Sequence, residues 1–263
     1  MDSGSRWKDS DIVNGIAEVE ISSWEHFHDY LLDEWFEYGA YAWRGQSNSA
    51  WALLSTLDRA LIGKSESQIA LIANRHLSRF KMASRGRRGA NPPLIKDEND
   101  WWALGQHFGL KTPLLDWTTS PFVAAYFAFI APSSDLVSQR AIFAIGQSGV
   151  KKKSNEIKTA YAGSGRPPII EFVTPFSDEN PRLVNQGGLF TRCPYGVDVE
   201  SWIKANFKGE DTKYRLLKLT IPDSDRELCL RSLNRMNINH LTLFPDLYGS
   251  SIFTNLDLEI KDY

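Results

Sequence analysis

The side chains best suited to chemistry fall in two short stretches, Trp43-Arg44-Gly45-Gln46 and the run from Gln106 to Ser120. A guanidinium beside a glycine, which lets another group come close to the backbone, suits a bidentate grip on phosphate or carboxylate. The same Arg44 could instead be structural, paired with an internal carboxylate such as Asp116, and on residue types alone the two readings stay open. The second stretch gathers an amide (Gln106), an imidazole (His107), a carboxylate (Asp116) and the hydroxyls of Thr118, Thr119 and Ser120. It ends where Ser120-Pro121 predicts the start of a helix, a place whose free N–H groups favour an anion. Each member also has a plainer reading: His107 as a satisfied structural residue, and Thr118 to Ser120 as a helix cap.

Around these stretches the pattern predicts the elements that must hold them. After Ser22-Ser23, the spacing of Trp24, Phe27, Leu31, Leu32 and Trp35 predicts a helix over Ile21–Glu37. Tyr41 to Gly45 reads as a strand, leaving Arg44 at a strand end. Ile69, Ile72, Leu77 and Phe80 predict a helix over Ser65–Ala83 packed by one face, followed by an exposed basic loop through Arg88. Further helices are predicted at Glu98–Phe108, Phe122–Ala131, Asp225–Met236 and Tyr248–Leu258. Strands are predicted at Arg140–Ile145, Pro168–Thr174, Gly188–Arg192 and Tyr214–Ile221, with Lys151–Arg166 as a mobile polar loop.

Composition describes an ordinary folded chain: 263 residues, 42% hydrophobic, 24% charged and a net charge of −2. Nothing in that balance demands a membrane or a nucleic acid. Cys193 and Cys229 are too few for a disulfide framework, and the first residues are polar, so secretion is not expected and the location read from the sequence is cytoplasmic. The apolar run Phe122–Pro132 is about half the length of a membrane span and reads as a buried helix. Phosphate-loop, dinucleotide-loop and nucleophile-elbow motifs are missing, and the five His are scattered without zinc spacing, so no metal site is predicted. A magnesium-dependent nuclease needs no local signature and stays open.

Trp43-Arg44-Gly45 resembles the Phe-Arg-Gly signature of the FRG-domain family, with Trp43 in place of Phe. The block Gln106 to Phe129, with Leu114-Leu-Asp-Trp-Thr-Thr-Ser-Pro inside it, resembles the same family, as do Arg182–Thr191 and Leu243–Gly249 more weakly. The resemblance spans about residues 24–250. It implies an α+β fold with a mixed, mostly antiparallel sheet of five to seven short strands flanked by helices. In domain terms it implies a polar segment over 1–20 and a single domain over 21–263 with a C-terminal helical annex.

A more distant similarity, to ADP-ribosyltransferases of the Arg-Ser-Glu type, implies an ADP-ribosyltransferase-like fold and a mechanism with NAD as the substrate. Under it Arg44, with Gly45 and Gln46, holds the pyrophosphate, while Thr118 or Ser120 supports the nicotinamide-ribose pocket and Gln186 takes the first acidic position. Gln106, Thr119 and Phe127 complete the cofactor-binding set, and His107 and Asp116 join the catalytic one. Gly188 stands where the catalytic glutamate belongs, so another acid must serve, with Asp116 and Asp246 as candidates. The implied role is a bacterial toxin or phage-defence effector that modifies nucleic acid or protein and is held in check by a neutralising partner. The alternative is a binding module for a nucleotide or nucleic acid that turns nothing over.

Overall fold

The computed structural model describes residues 5–35, 40–134, 136–175 and 181–263. In chain order the elements are β1 (Trp7–Asp9), β2 (Ile16–Ile21), α1 (Trp24–Tyr30, continued by a π-helical turn Leu31–Trp35), β3 (Tyr41–Gln46), α2 (Thr56–Ala60), α3 (Glu66–Ala83) and α4 (Glu98–His107). There follow β4 (Leu114–Thr118), α5 (Pro121–Phe129), β5 (Gln139–Gly146), α6 (Gln147–Ala160), β6 (Glu171–Val173), α7 (Pro181–Asn185) and β7 (Gly188–Arg192). The chain closes with α8 (Val199–Asn206), β8 (Leu216–Pro222), α9 (Arg226–Arg235), α10 (His240–Leu243) and α11 (Leu247–Glu259).

Among the described residues, eight strands form one sheet in the order β1-β2-β8-β5-β3-β4-β7-β6. Every pairing is antiparallel except β2 with β8. The fold is therefore α+β with a mixed, mostly antiparallel sheet, one strand larger than the sequence reading allowed. On one face a core of α1, α5, α9 and α11 side chains packs on Trp43, Ile142 and Leu219; on the other, α6 and α8 cover Ala42, Trp117 and Phe143. A third cluster joins α2, α3 and α4 to Leu114 and Phe190.

Three expectations need revision. The polar stretch before residue 21 supplies strands β1 and β2, because Ala17, Val19 and Ile21 are buried while Glu18 and Glu20 face water, a period-two pattern hidden by the flanking charges. Lys151–Arg166 is largely helix α6 and no loop: Val150 and Ser154 are buried four residues apart, and the lysines occupy its wet face. The first helix begins at Trp24, capped by Ser23, and the Phe36 and Glu37 end of the expected span lies outside the described residues.

One packing contact sets the position of the site. A Cβ at Gly45 would fall 1.9 Å from the Ala124 carbonyl oxygen and 2.5 Å from the Ala128 amide nitrogen, so only glycine lets β3 lie this close to α5. The group that approaches the backbone at Gly45 is thus a helix. At the far end of α5, two buried arginines from other elements satisfy its last carbonyls: Arg140 donates to Ala128 and Pro132, and Arg226 to Phe129, Ile130 and Ala131. Asp223 and Glu259 balance the two charges. Among the described residues, no helix is long and apolar enough to cross a membrane.

Candidate functional site

The sheet opens between β3 and β4. Six residues of β3 pair with β5 and five of β4 pair with β7, yet β3 and β4 share the single register pair Trp43↔Thr118. Beyond that pair the strands diverge, and a cleft of about 900 Å³ lies over the gap. This volume suits a nucleotide-sized ligand. Its walls come from β3, the 47–54 loop, α2, β4, α5, Gln186 and Phe244.

Arg44 sits at the opening. Its Nη1 donates to the carbonyl oxygen of Asp116 at 2.8 Å, while the Asp116 carboxylate stays 3.8 Å away. Its Nε is buried and has no hydrogen-bond partner among the described residues. Burial depresses the guanidinium's pKa, Asp116 opposes that shift, and the nearby charge of Arg59 adds to it. A partly buried, incompletely paired cation beside a second cation is an arrangement that an anion would relieve. The structural reading of Arg44 also holds in part, because its bond to the Asp116 backbone ties the two diverging strands together.

Asp116 is oriented from the opposite side. Gln106, at the end of α4, donates from Nε2 to Asp116 Oδ1 at 2.7 Å and accepts from the Thr112 hydroxyl. Gln106 is therefore a positioning residue for the carboxylate and does not itself line the cleft. The Asp116 side chain is 65% exposed, so it meets both water and the cleft.

Of the sequence-selected residues, Arg44, Gly45, Gln46, Asp116, Thr118, Phe127 and Gln186 line the cleft, and Gln106, His107, Thr119 and Ser120 do not. Several of the liners are already committed. Thr118 donates its hydroxyl to the Gln186 carbonyl at 2.6 Å and accepts from the Ser120 amide, and Gln186 spends its own amide on the Leu243 carbonyl. Ser120 is the N-cap of α5, accepting from Val123 N, and Thr119 bonds Gly187 through its backbone. The cap reading thus accounts for Ser120. His107 packs edge-on to Phe108, and burial together with the Arg182 charge lowers its pKa against the pull of Asp246. Asp246, one of the two replacement acids, caps α11 through Gly249 N and pairs with Arg182. That pairing holds its carboxyl below the usual range and leaves Asp116 as the carboxylate on the cleft wall.

Eight liners lie outside the stretches and residues selected from the sequence, Trp51, Arg59, Ile62 and Phe244 among them. Trp51 leaves 56% of its surface exposed at the rim, and Ile62 leaves 77%. Arg59 donates to the Leu54 carbonyl at 2.6 Å, and Phe244 packs edge-to-face on Phe127. Trp51 had a signal, an indole in a polar turn just after Gly45. Phe244 had only the weak resemblance of Leu243–Gly249, and its meeting with Phe127 is made by the fold.

Residues 39–136 match the family model of the FRG domain. The chain carries an FRG domain. No curated protein and no solved structure matches the chain. The matched FRG segment is narrower than the expected span of about 24–250, but it holds β3, α2, α3, α4, β4 and α5, and with them Arg44, Gln106, Asp116 and Phe127. Gln186 and Phe244 reach the cleft of the FRG domain from beyond that segment.

Proposed function

We propose that the cleft binds NAD and that the protein is an ADP-ribosyltransferase-like enzyme, acting as a toxin or phage-defence effector. The observation that carries this reading is Arg44, whose buried Nε lacks a partner among the described residues, at a cleft that also presents the Asp116 carboxylate. In this reading Arg44 and Arg59 take the pyrophosphate, and the exposed indole of Trp51 and the ring of Phe127 offer surfaces for the flat ends of the ligand. Asp116, steadied by Gln106, accepts a ribose hydroxyl and stabilises the positive charge that develops at the anomeric carbon as nicotinamide leaves with the bonding electrons. The nucleophile of the target then bonds that carbon and loses its proton.

One observation favours the second reading, a nucleotide-binding module without turnover. Asp116 is largely solvated, and a screened carboxylate stabilises a developing cation less than a desolvated one. Incubation with labelled NAD, cell extract, DNA and RNA separates the two. Release of nicotinamide or transfer of label supports the enzyme; saturable NAD binding with neither supports the module. A folded sample that neither binds nor consumes NAD removes both.

A further inference from the structure

Between Lys64 and Lys96 the chain carries eight Lys and Arg side chains against one acid, Glu66. With a whole-chain net charge of −2, this +7 segment leaves −9 for all the rest. Three of the eight, Arg75, Arg79 and Lys81, lie in the second half of α3, and four more follow it. Ile69, Ala73 and Leu77 are buried against the body, while Arg75 and Arg79 lie on the exposed side, one turn apart. The chain then continues through exposed Arg85 and Arg87. Among the described residues, these four arginines have no ion-pair partner.

The loop after α3 is fastened in place. Lys81 and Arg88 both stack on the Trp101 ring, at 5.5 and 5.1 Å, and Arg88 also donates to the Pro93 carbonyl at 2.7 Å. The charged surface is therefore held to α4, and α3, which starts four residues after Ile62 of the cleft wall, carries Arg75 about 14 Å further along its axis.

We propose that this surface docks the phosphate backbone of a nucleic acid and holds it next to the cleft. Arg75 and Arg79, four residues apart, stand about 6 Å from each other along α3, roughly two steps of a strand at about 3.4 Å each. Unpaired guanidinium groups match phosphate geometry, and the net negative charge of the remainder disfavours a polyanion over most of the molecule, the lysine face of α6 apart. A lipid surface fits less well: the apolar residues on the exposed side of α3 are Leu71 and Met82, three turns apart, which is too sparse for an interfacial helix. Docking itself is independent of the transferase reading; only the further idea that the docked strand is the molecule modified rests on it.

The test is binding of a 20-base-pair DNA duplex and a 20-nucleotide RNA by the full chain, without NAD, between 50 and 200 mM salt. If the four arginines each neutralise a phosphate, log K falls against log salt with a slope of about −4. The combined variant Arg75→Glu, Arg79→Glu, Arg85→Glu, Arg87→Glu is expected to lose at least a hundredfold in affinity for the preferred probe. The loop pair Arg85→Gln, Arg87→Gln, which leaves α3 untouched, is expected to flatten the slope by about two. Unchanged affinity in the loop pair overturns the proposal. So does binding to neither probe, or equal affinity for poly-glutamate or anionic vesicles. Because NAD is absent, failure of the transferase reading would leave these outcomes unaffected.

Discussion

Arg44 divides its guanidinium between a structural bond and an open one, and a lysine would lose these two jobs to different degrees. Arg44→Lys keeps the charge but removes the planar fork. The hydrogen bond from the guanidinium to the Asp116 carbonyl is lost or weakened, so stability should fall by about 1–2 kcal/mol. The rise in melting temperature produced by NAD should disappear altogether. Differential scanning with and without NAD checks both halves; a variant that melts much lower while the parent shows no NAD-dependent rise would make Arg44 purely structural. The carboxylate of Asp116 is too exposed and too far from Arg44 for their charge pair to contribute much on its own. Trp43-Arg44-Gly45 and the Asp116 block could be picked out by residue type. That Arg44 would bond Asp116 through its backbone oxygen could not, because nothing local states which atom faces the gap.

Among the elements, the contact of β3 with α5 fixes the cleft's geometry. Gly45→Ala would drive a methyl group into the Ala124 carbonyl, and since both sides are backbone, relief requires the helix to move. A loss of about 3 kcal/mol is expected, read as a lower urea midpoint at unchanged slope. Displacing α5 also shifts Phe127, so NAD affinity should fall with it. A stability change under about 0.5 kcal/mol would show that β3 and α5 do not need this approach. Most helices were legible because their caps and apolar spacing are local: Ser65 with Gln68 makes a full capping box, and Ser120-Pro121 opens α5. α6 was missed because three lysines dominate its composition while its buried face is narrow. Strand β2 was missed because its solvent face is two glutamates.

For the molecule as a whole, His240 ties α10 to the core. Its Nδ1 shares a hydrogen bond with the Tyr126 hydroxyl at 2.9 Å, and its ring stacks on Phe244 with centroids 4.1 Å apart. Burial lowers its pKa to about 4; Arg182 pushes the same way and Asp246 opposes. The folded state therefore binds this proton less readily than the unfolded chain, whose His titrates near its ordinary value of about 6.5. Stability from this group is complete above that value and lost as the pH falls toward 4, by about 3 kcal/mol in all. Urea unfolding at pH 7 and 4.5 should show the loss, and His240→Gln should reduce it. An equal drop in parent and variant would place the acid sensitivity elsewhere. Phe244, which the same histidine supports, lines the cleft, so the C-terminal helices and the site share one packing unit.

The sequence by itself determined the α+β class, most of the helices and the two stretches from which the cleft draws Arg44, Asp116 and Phe127, since caps, periodicity and residue chemistry are written within a few neighbours. Tertiary structure alone decided that β3 and β4 part after one register pair, that Gly45 serves a helix, and that Gln106 holds Asp116. It also brought Trp51, Arg59 and Phe244 to the lining of one cleft and took the amide of Gln186 for the Leu243 carbonyl. Those outcomes depend on which backbone groups remain unpaired once the sheet has assembled and on segments more than a hundred residues apart meeting. A strand pairing or a buried amide's partner is settled only by the competition among all such groups in the folded chain.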